Sequence, residues 1–253
     1  MKIICDKISK NFTVPGGVVR VLEDFSFETQ AQDFVCILGP NGCGKSTLLK
    51  IIAGIVAPSA GRVVFEGPAY AGVRATLIFP EDGLFPWLNV RDNVSFGLEM
   101  KGVPVLERYE LARKLMEDME LMKFALCYPH QLSSGMKQKA SLIRGLLTDA
   151  PVILMDEPDK SLDINSKRIM CEDICRVRDE YRKTVICVTH DVDMALRMAK
   201  TILVFGRSPV AVVKKIDMRP FSEMSDKQEY CFLLEKLRGE IQGIIRQEVE
   251  KVP

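Results

Sequence analysis

Apolar and polar side chains alternate through the first thirty residues: Ile3, Cys5 and Ile8, then Val19, Val21, Phe25 and Phe27. That pattern predicts β-strands on either side of a turn at Pro15-Gly16-Gly17. Phe34-Val35-Cys36-Ile37-Leu38 is short and wholly apolar. A glycine-rich turn follows it at once, and Ser46 to Ile55 then carries a helical pattern. Further buried strands are predicted at Ala75 to Phe79, Val152 to Met155 and Thr184 to Thr189, with Ile202 to Phe205 after them. Continuous β-branched runs alternating with helices predict an α/β protein whose parallel sheet is covered on both faces.

Between about Leu88 and Thr148 strand signals disappear, and Leu111, Leu115, Met119 and Met122 recur at helical spacing. This predicts a helical insert in the α/β core. From Ser222 onward Tyr230, Leu234, Leu237, Ile241 and Ile244 recur in steps of four and three. They predict an amphipathic helix lying on the core or on a partner chain, the core being favoured because a solitary stretch of this length rarely sustains a coiled coil.

With 253 residues and 47% hydrophobic composition the chain can bury a large core. Its 35 basic and 34 acidic residues nearly cancel, so no electrostatic footprint points to nucleic acid or to an anionic membrane surface. Charged residues interrupt the amino-terminal apolar pattern, unlike a secretory signal. No eighteen apolar residues run together, so a membrane role is expected to come through a partner. The eight cysteines are scattered without a Cys-x-x-Cys pair. Ordinary buried thiols of a reduced cytosolic protein are the expectation.

Gly39-Pro40-Asn41-Gly42-Cys43-Gly44-Lys45-Ser46 fits G-x-x-x-x-G-K-[ST] between a strand and a helix. Glycines let the backbone curl so that N–H groups point at phosphate oxygens, and the helix amino terminus adds partial positive charge. Lys45 would reach the β and γ phosphates, and the Ser46 hydroxyl would ligate Mg²⁺. The bland alternative is a tight strand-to-helix turn with a surface lysine; the flanking elements favour phosphate. Cys43, near a helix amino terminus, has a rationale for a depressed pKa and is expected to react with thiol reagents unless ATP covers it.

Val152-Ile153-Leu154-Met155-Asp156-Glu157 puts two carboxylates at the end of an apolar strand. Beside a phosphate loop Asp156 would orient the metal, and Glu157 would polarise the attacking water. Alone, such a run is a strand ending in a solvated acidic turn; the loop above decides for function. Leu132-Ser133-Ser134-Gly135-Met136-Lys137-Gln138 opens a helix with a hydroxyl and small residues, which suits a second γ-phosphate contact or simply a helix cap. Ser161-Leu162-Asp163 follows the acidic strand end, and His190 follows another strand, where its imidazole could hydrogen-bond a terminal phosphate.

In their order along the chain the five motifs resemble the ATP-binding-cassette (ABC) family, specifically the ATPase subunits of importers, over roughly residues 1 to 215. Glu81-Asp82-Gly83-Leu84-Phe85-Pro86-Trp87-Leu88, Cys43 and Tyr128-Pro129-His130 look like the nitrate, sulfonate and taurine branch. The resemblance implies a P-loop NTPase fold: a RecA-like parallel sheet core with an antiparallel β subdomain and an inserted α-helical subdomain. It implies an ATPase domain over 1–217, with the helical part about 88–148, and a C-terminal helical extension over 218–253. Gly39, Pro40, Asn41, Gly42, Cys43, Gly44, Lys45, Ser46 and Thr47 would hold the phosphates of ATP, with Phe12 on the adenine. Ser46 and Asp156 would hold Mg²⁺, Glu157 would be the base, and His190 would contact the γ-phosphate. Ser133, Ser134 and Gly135 would serve the ATP of a second ABC subunit, an identical chain or a paralogue, and Asp163 would couple the two sites. The implied partners are that subunit, transmembrane permease subunits and, indirectly, a solute-binding protein, at the cytoplasmic face of the membrane. Phe85 to Leu88 and the helical insert would form the permease docking surface.

The chain departs from the family pattern at three places. Phe79-Pro80 stands where Phe-Gln is usual, and proline offers neither an amide oxygen nor a backbone donor; Glu81, next to it, would have to substitute through a rearranged loop. Ser134 puts a Cβ where glycine is usual, and Asp159-Lys160 replaces a small or apolar pair. The alternative reading is therefore a degenerate ABC subunit that binds ATP, hydrolyses it weakly, and regulates or pairs with an active paralogue. A soluble mechanochemical ATPase would instead show coiled-coil insertions or basic stripes, and an ATP sensor would not need an intact Glu157.

Overall fold

The computed structural model describes residues 1–68, 72–79, 83–160, 162–222 and 226–250. A hairpin of β1 (Lys2–Val14) and β2 (Gly17–Glu28) opens the chain, turning where predicted, with Gly16 at φ 101° and Gly17 at φ 152°. The apolar run β3 (Phe34–Leu38) leads through the glycine turn into α1 (Lys45–Ile52). Next, β4 (Ala60–Glu66) returns to pair antiparallel with β1, completing a three-stranded sheet of order β2-β1-β4.

After β5 (Ala75–Ile78) come three helices, α2 (Val90–Met100), α3 (Val105–Asp118) and α4 (Ser134–Leu147). The chain then alternates β6 (Val152–Asp156), α5 (Ile164–Tyr181), β7 (Thr184–Val188), α6 (Val192–Met198), β8 (Thr201–Phe205) and β9 (Val212–Asp217). Two helices close it, α7 (Arg219–Ser222) and α8 (Lys227–Glu250). The second sheet has the order β5-β6-β7-β3-β8-β9, parallel except for β9.

The wholly apolar strands are apolar because both faces are covered. Along β3, Phe34, Cys36 and Leu38 face the core shared with α2 to α6 and α8. Val35 and Ile37 face the core shared with α1 and the antiparallel sheet. The same alternation divides Ile153 and Met155 from Val152 and Leu154 on β6. Each fully buried side chain of this kind stabilises by about 1.5–3 kcal/mol relative to exposure. These strands end at Leu38, Asp156 and Val188, and parallel sheets carry their ligands at the carboxyl ends of strands.

Several elements differ from the expectation. Helix α1 stops at Ile52 rather than Ile55, because Gly54 takes φ 74°. Gly54 N then donates to Ile51 O (3.0 Å) and Ile55 N to Lys50 O (2.9 Å), a glycine stop that satisfies the last carbonyls. The Leu111 to Met122 periodicity runs through a real break. Helix α3 ends at Asp118, Glu120 sits at φ 58°, and Leu111 and Met122 are exposed while Ala112, Leu115, Met116 and Met119 form the buried stripe. Strands β4 and β9 escaped the pattern reading; each is half-buried, and β9 interrupts its apolar residues with Lys214 and Lys215 at a sheet edge. Helix α8 lies on the core as expected, burying Ile241 and packing Leu234, Leu237 and Ile244 against α6 and β8.

Candidate functional site

Three glycines bend the phosphate loop through left-handed backbone: Gly39 at φ 155°, Gly42 at 74° and Gly44 at 115°. A side chain at these angles is strained, which is why the motif needs glycine there. Lys45 opens α1 almost wholly buried, and its Nζ donates to Gly39 O (2.9 Å) and Pro40 O (2.7 Å), spanning its own loop. Asn41 and Gly42 are exposed, Pro40 is buried, and Thr47 is half-buried in the first turn of the helix.

Burial pushes the Lys45 ammonium below the ordinary lysine range, against the opposing pull of Cys43, Glu157 and Asp156. A depressed folded-state pKa means a contribution that is present above the unfolded value and lost as pH falls. The Lys45 ammonium is thus a desolvated cation whose hydrogen bonds go to two main-chain carbonyls. Lys45→Met is expected to raise the unfolding midpoint without nucleotide by about 2 °C or more, measured by calorimetric scanning. A lowered midpoint would contradict that sign.

Asp156 ends β6 buried, and Ser46 Oγ donates to its Oδ1 at 3.0 Å. Burial pushes the Asp156 carboxyl up, and the Ser46 hydrogen bond and the Lys50 and Lys45 charges only partly offset it. Glu157 follows in left-handed backbone at φ 49°, an uncommon state for a residue with a Cβ. Its N–H donates to Val188 O at 2.8 Å, which pins it to the end of β7. From there its Oε1 lies 2.8 Å from His190 Nε2, while Lys160 Nζ stands 3.9 Å from Oε2. Strand β7 lies between β3 and β6, so the ends of three neighbouring strands bring Lys45, Ser46, Asp156, Glu157 and His190 together.

The starts of α4 and α5 form a second cluster. Ser133 caps α4, its Oγ accepting from Met136 N (3.3 Å). Asp163 caps α5, accepting from Asn165 N (2.9 Å), Ser166 N (3.0 Å) and Ser166 Oγ (2.6 Å). A Cβ on Gly135 would stand 3.6 Å from Ser166 Oγ, so the two starts are neighbours. Ser134 opens α4 exposed and is absent from the left-handed residues, so its side chain imposes no backbone strain. Phe12 is exposed on β1 with Lys10 Nζ 5.0 Å from its ring centroid. Pro80, Glu81, Asp82 and Ser161 lie outside the described residues.

Cys43 is corrected by the structure. Its thiol is 2% exposed, and burial pushes it up rather than down, outweighing the Lys45 charge. It also precedes α1, which begins at Lys45. A maleimide titration of the nucleotide-free chain is expected to label exposed Cys231 first and leave Cys43 unmodified. Rapid labelling of Cys43 would contradict it.

Sequence reading missed the group behind the Glu157–His190 pair. Thr189 Oγ1 donates to the buried Asp159 Oδ1 (2.9 Å), and Lys167 Nζ lies 3.3 Å from Asp159 Oδ2. Lys167 also donates to Asp191 Oδ2 at 3.0 Å. One lysine thereby ties the turn carrying Glu157 and the loop carrying His190 to α5. Asp159 stood out in sequence only as a departure; nothing in the pattern marked Lys167 or Thr189.

Left-handed glycines ahead of a helix, a hydroxyl meeting a carboxylate across the sheet, and one strand interposed between the two belong to the P-loop NTPases of RecA-like strand order. Within that class the chain belongs to the ABC transporter family, whose profile matches residues 22–160. It is 36% identical over 256 residues to an ABC transporter ATP-binding protein of Methanocaldococcus jannaschii, covering 99% of this chain and 94% of that one. It is 32% identical to an aliphatic sulfonates import ATP-binding protein of Bacillus cereus, over 94% of each chain. A taurine import ATP-binding protein of Roseobacter denitrificans is 35% identical, over 87% of this chain and 82% of that one. Among solved structures, the dimeric post-hydrolysis state of an ATP-binding cassette bound to ADP and Pi matches with TM-score 0.75 and 26% identity. That match covers 86% of this chain and 99% of the other.

Proposed function

We propose that this chain binds and hydrolyses ATP as the cytoplasmic subunit of an ABC importer, energising a separate permease for nitrate-, sulfonate- or taurine-like solutes. The observation that carries this is the Glu157–His190 contact of 2.8 Å at the end of β6 and β7, beside the Lys45 and Ser46 loop. Residues Gly39 to Thr47 hold the phosphates and Phe12 lies on the adenine. Glu157 takes a proton from water as its oxygen attacks the γ-phosphorus. The bond from that phosphorus to the β–γ bridging oxygen breaks, and ADP and phosphate leave. His190 holds the Glu157 carboxylate and meets the γ-phosphate.

Ser46 Oγ and Asp156 Oδ1, 3.0 Å apart, offer the hard oxygens Mg²⁺ prefers. Among the described residues no cluster of three or more His, Cys, Asp or Glu side chains holds a metal alone, which fits an ion completed by phosphate oxygens and water. Bound there, Mg²⁺ would neutralise phosphate charge. Phosphate release from millimolar ATP is expected to require Mg²⁺ and to stop on adding EDTA. Release indifferent to EDTA would sink the metal assignment, and no release at all would sink the hydrolytic one.

Ser133, Ser134 and Gly135 serve the ATP of a second subunit, and Asp163 at the neighbouring helix start links the two sites. Residues 1–217 form the ATPase domain, 88–148 its helical insert, and 218–253 the extension. Among the described residues no helix is long and apolar enough to cross a membrane. In this reading the chain associates with the membrane through the permease. Trp87 is 70% exposed beside Phe85, whose ring packs tilted against Phe96 with centroids 4.6 Å apart and lines a groove of ≈ 400 Å³ with Phe79 and Arg144. That groove is the permease's docking surface, with Trp87 as its anchor.

A further inference from the structure

The back of the phosphate loop has no slack. A Cβ on Gly39 would lie 2.8 Å from Phe205 O and 3.0 Å from Phe205 Cβ. One on Gly44 would lie 2.7 Å from Val21 Cγ1 and 2.9 Å from Val210 Cγ2. The loop therefore rests on the connection between β8 and β9, from Phe205 to Val210. That connection is fixed on one side to β2: Val210 N donates to Val21 O (3.0 Å) and Ser208 Oγ to Arg20 O (2.6 Å).

Its other side is fixed to the last turn of α8. Arg207 Nε donates to Glu248 O (2.7 Å), Arg207 Nη2 to Val249 O (2.7 Å), and Arg207 N to Glu248 Oε2 (3.2 Å). A guanidinium on the final carbonyls also complements the helix dipole. Gly206 leaves the space for this contact, since a Cβ there would stand 2.8 Å from Glu248 Oε2. Glu248 is 6% exposed on a helix whose neighbours Gln247 and Val249 are open to solvent. A buried carboxylate at the end of an extension calls for a purpose beyond solubility.

We propose that α8 braces the phosphate loop, with Arg207 and Glu248 as positioning residues that act through Phe205 to Val210. The proposal rests on Gly39 to Ser46 being the nucleotide loop. It assigns a role to the C-terminal extension, because a loop that must present its amides in one geometry is held from behind by a helix packed onto the α/β core. Releasing the brace lets the loop relax, and small misplacements of positioning groups are costly.

Calorimetric titration of the full chain with MgATP tests this, at a temperature where circular dichroism shows each variant folded. Arg207→Ala and Glu248→Ala are each expected to weaken ATP affinity about tenfold. The double variant is expected to be no weaker than the weaker single one, because both act through one junction. Arg207→Lys keeps the charge and one carbonyl contact, and is expected to lose only about threefold. Lower unfolding midpoints with affinity unchanged would show a merely structural role and overturn the proposal. Should Arg207→Ala not fold, Arg207→Lys carries the test, and an affinity equal to the parent's overturns it. A parent chain that itself binds no ATP would overturn the proposed function instead, so the two failures are distinct.

Discussion

Glu157→Gln is expected to lower steady-state phosphate release by at least about a hundredfold while ATP affinity stays within about threefold. The structure says why the two separate. Glu157 is fixed through its main chain, by its N–H on Val188 O at 2.8 Å, so an amide in place of the carboxylate leaves the turn where it is. The amide keeps an oxygen for His190 Nε2 but takes no proton from water. Nothing in the Lys45 contacts with Gly39 O and Pro40 O depends on that carboxylate. With hydrolysis blocked and binding intact, the variant is expected to accumulate as an ATP-bound dimer on a sizing column, and the parent to run as a monomer after turnover. A variant that releases phosphate at the parent's rate would remove Glu157 from its role as base. One with lost affinity would show Glu157 to be part of the binding surface.

Gly39→Ala is expected to cost about a hundredfold in ATP affinity, and about 2 kcal/mol or more in stability. Its Cβ would be forced to 2.8 Å from a main-chain oxygen, Phe205 O, in a strand buried on both faces. Neither partner can yield without moving the sheet. The φ of 155° adds strain of its own. Gly42 is the control: at φ 74° it meets nothing within 4 Å, so Gly42→Ala is expected to cost about 1 kcal/mol of backbone strain and no packing. Thermal unfolding and nucleotide titration of the pair separate the two contributions. Equal losses at both positions would mean that the close approach to Phe205 does not set the loop's geometry.

What could be read from the chain alone follows from where its physics is local. The doubly covered strands β3, β6 and β7 announce themselves, because burial on both faces removes every polar residue but a terminal threonine from Phe34–Leu38, Val152–Met155 and Thr184–Val188. The glycine turn before α1 and the carboxylates after β6 were legible for a related reason: backbone angles and charge placement there admit few residue types. Strands β4 and β9 were not, since a half-buried edge tolerates Arg62, Lys214 and Lys215 within the run. The Leu111–Met122 spacing misled because periodicity alone does not reveal the turn at Glu120. Cys43 misled because its place in the motif suggests a helix amino terminus, whereas its packing buries the thiol at 2% exposure. The Asp159–Lys167–Asp191 group and the Arg207–Glu248 clasp join residues far apart in sequence, and only the assembled sheet brings them together.

The most direct measurement is a calorimetric titration of MgATP into the chain and into Lys45→Met. Binding by the parent and none by the variant, with the variant's fold intact, is the result expected of a loop that clasps a triphosphate around one buried ammonium. Full affinity retained in Lys45→Met would contradict it, and with it the assignment of every group placed around that phosphate.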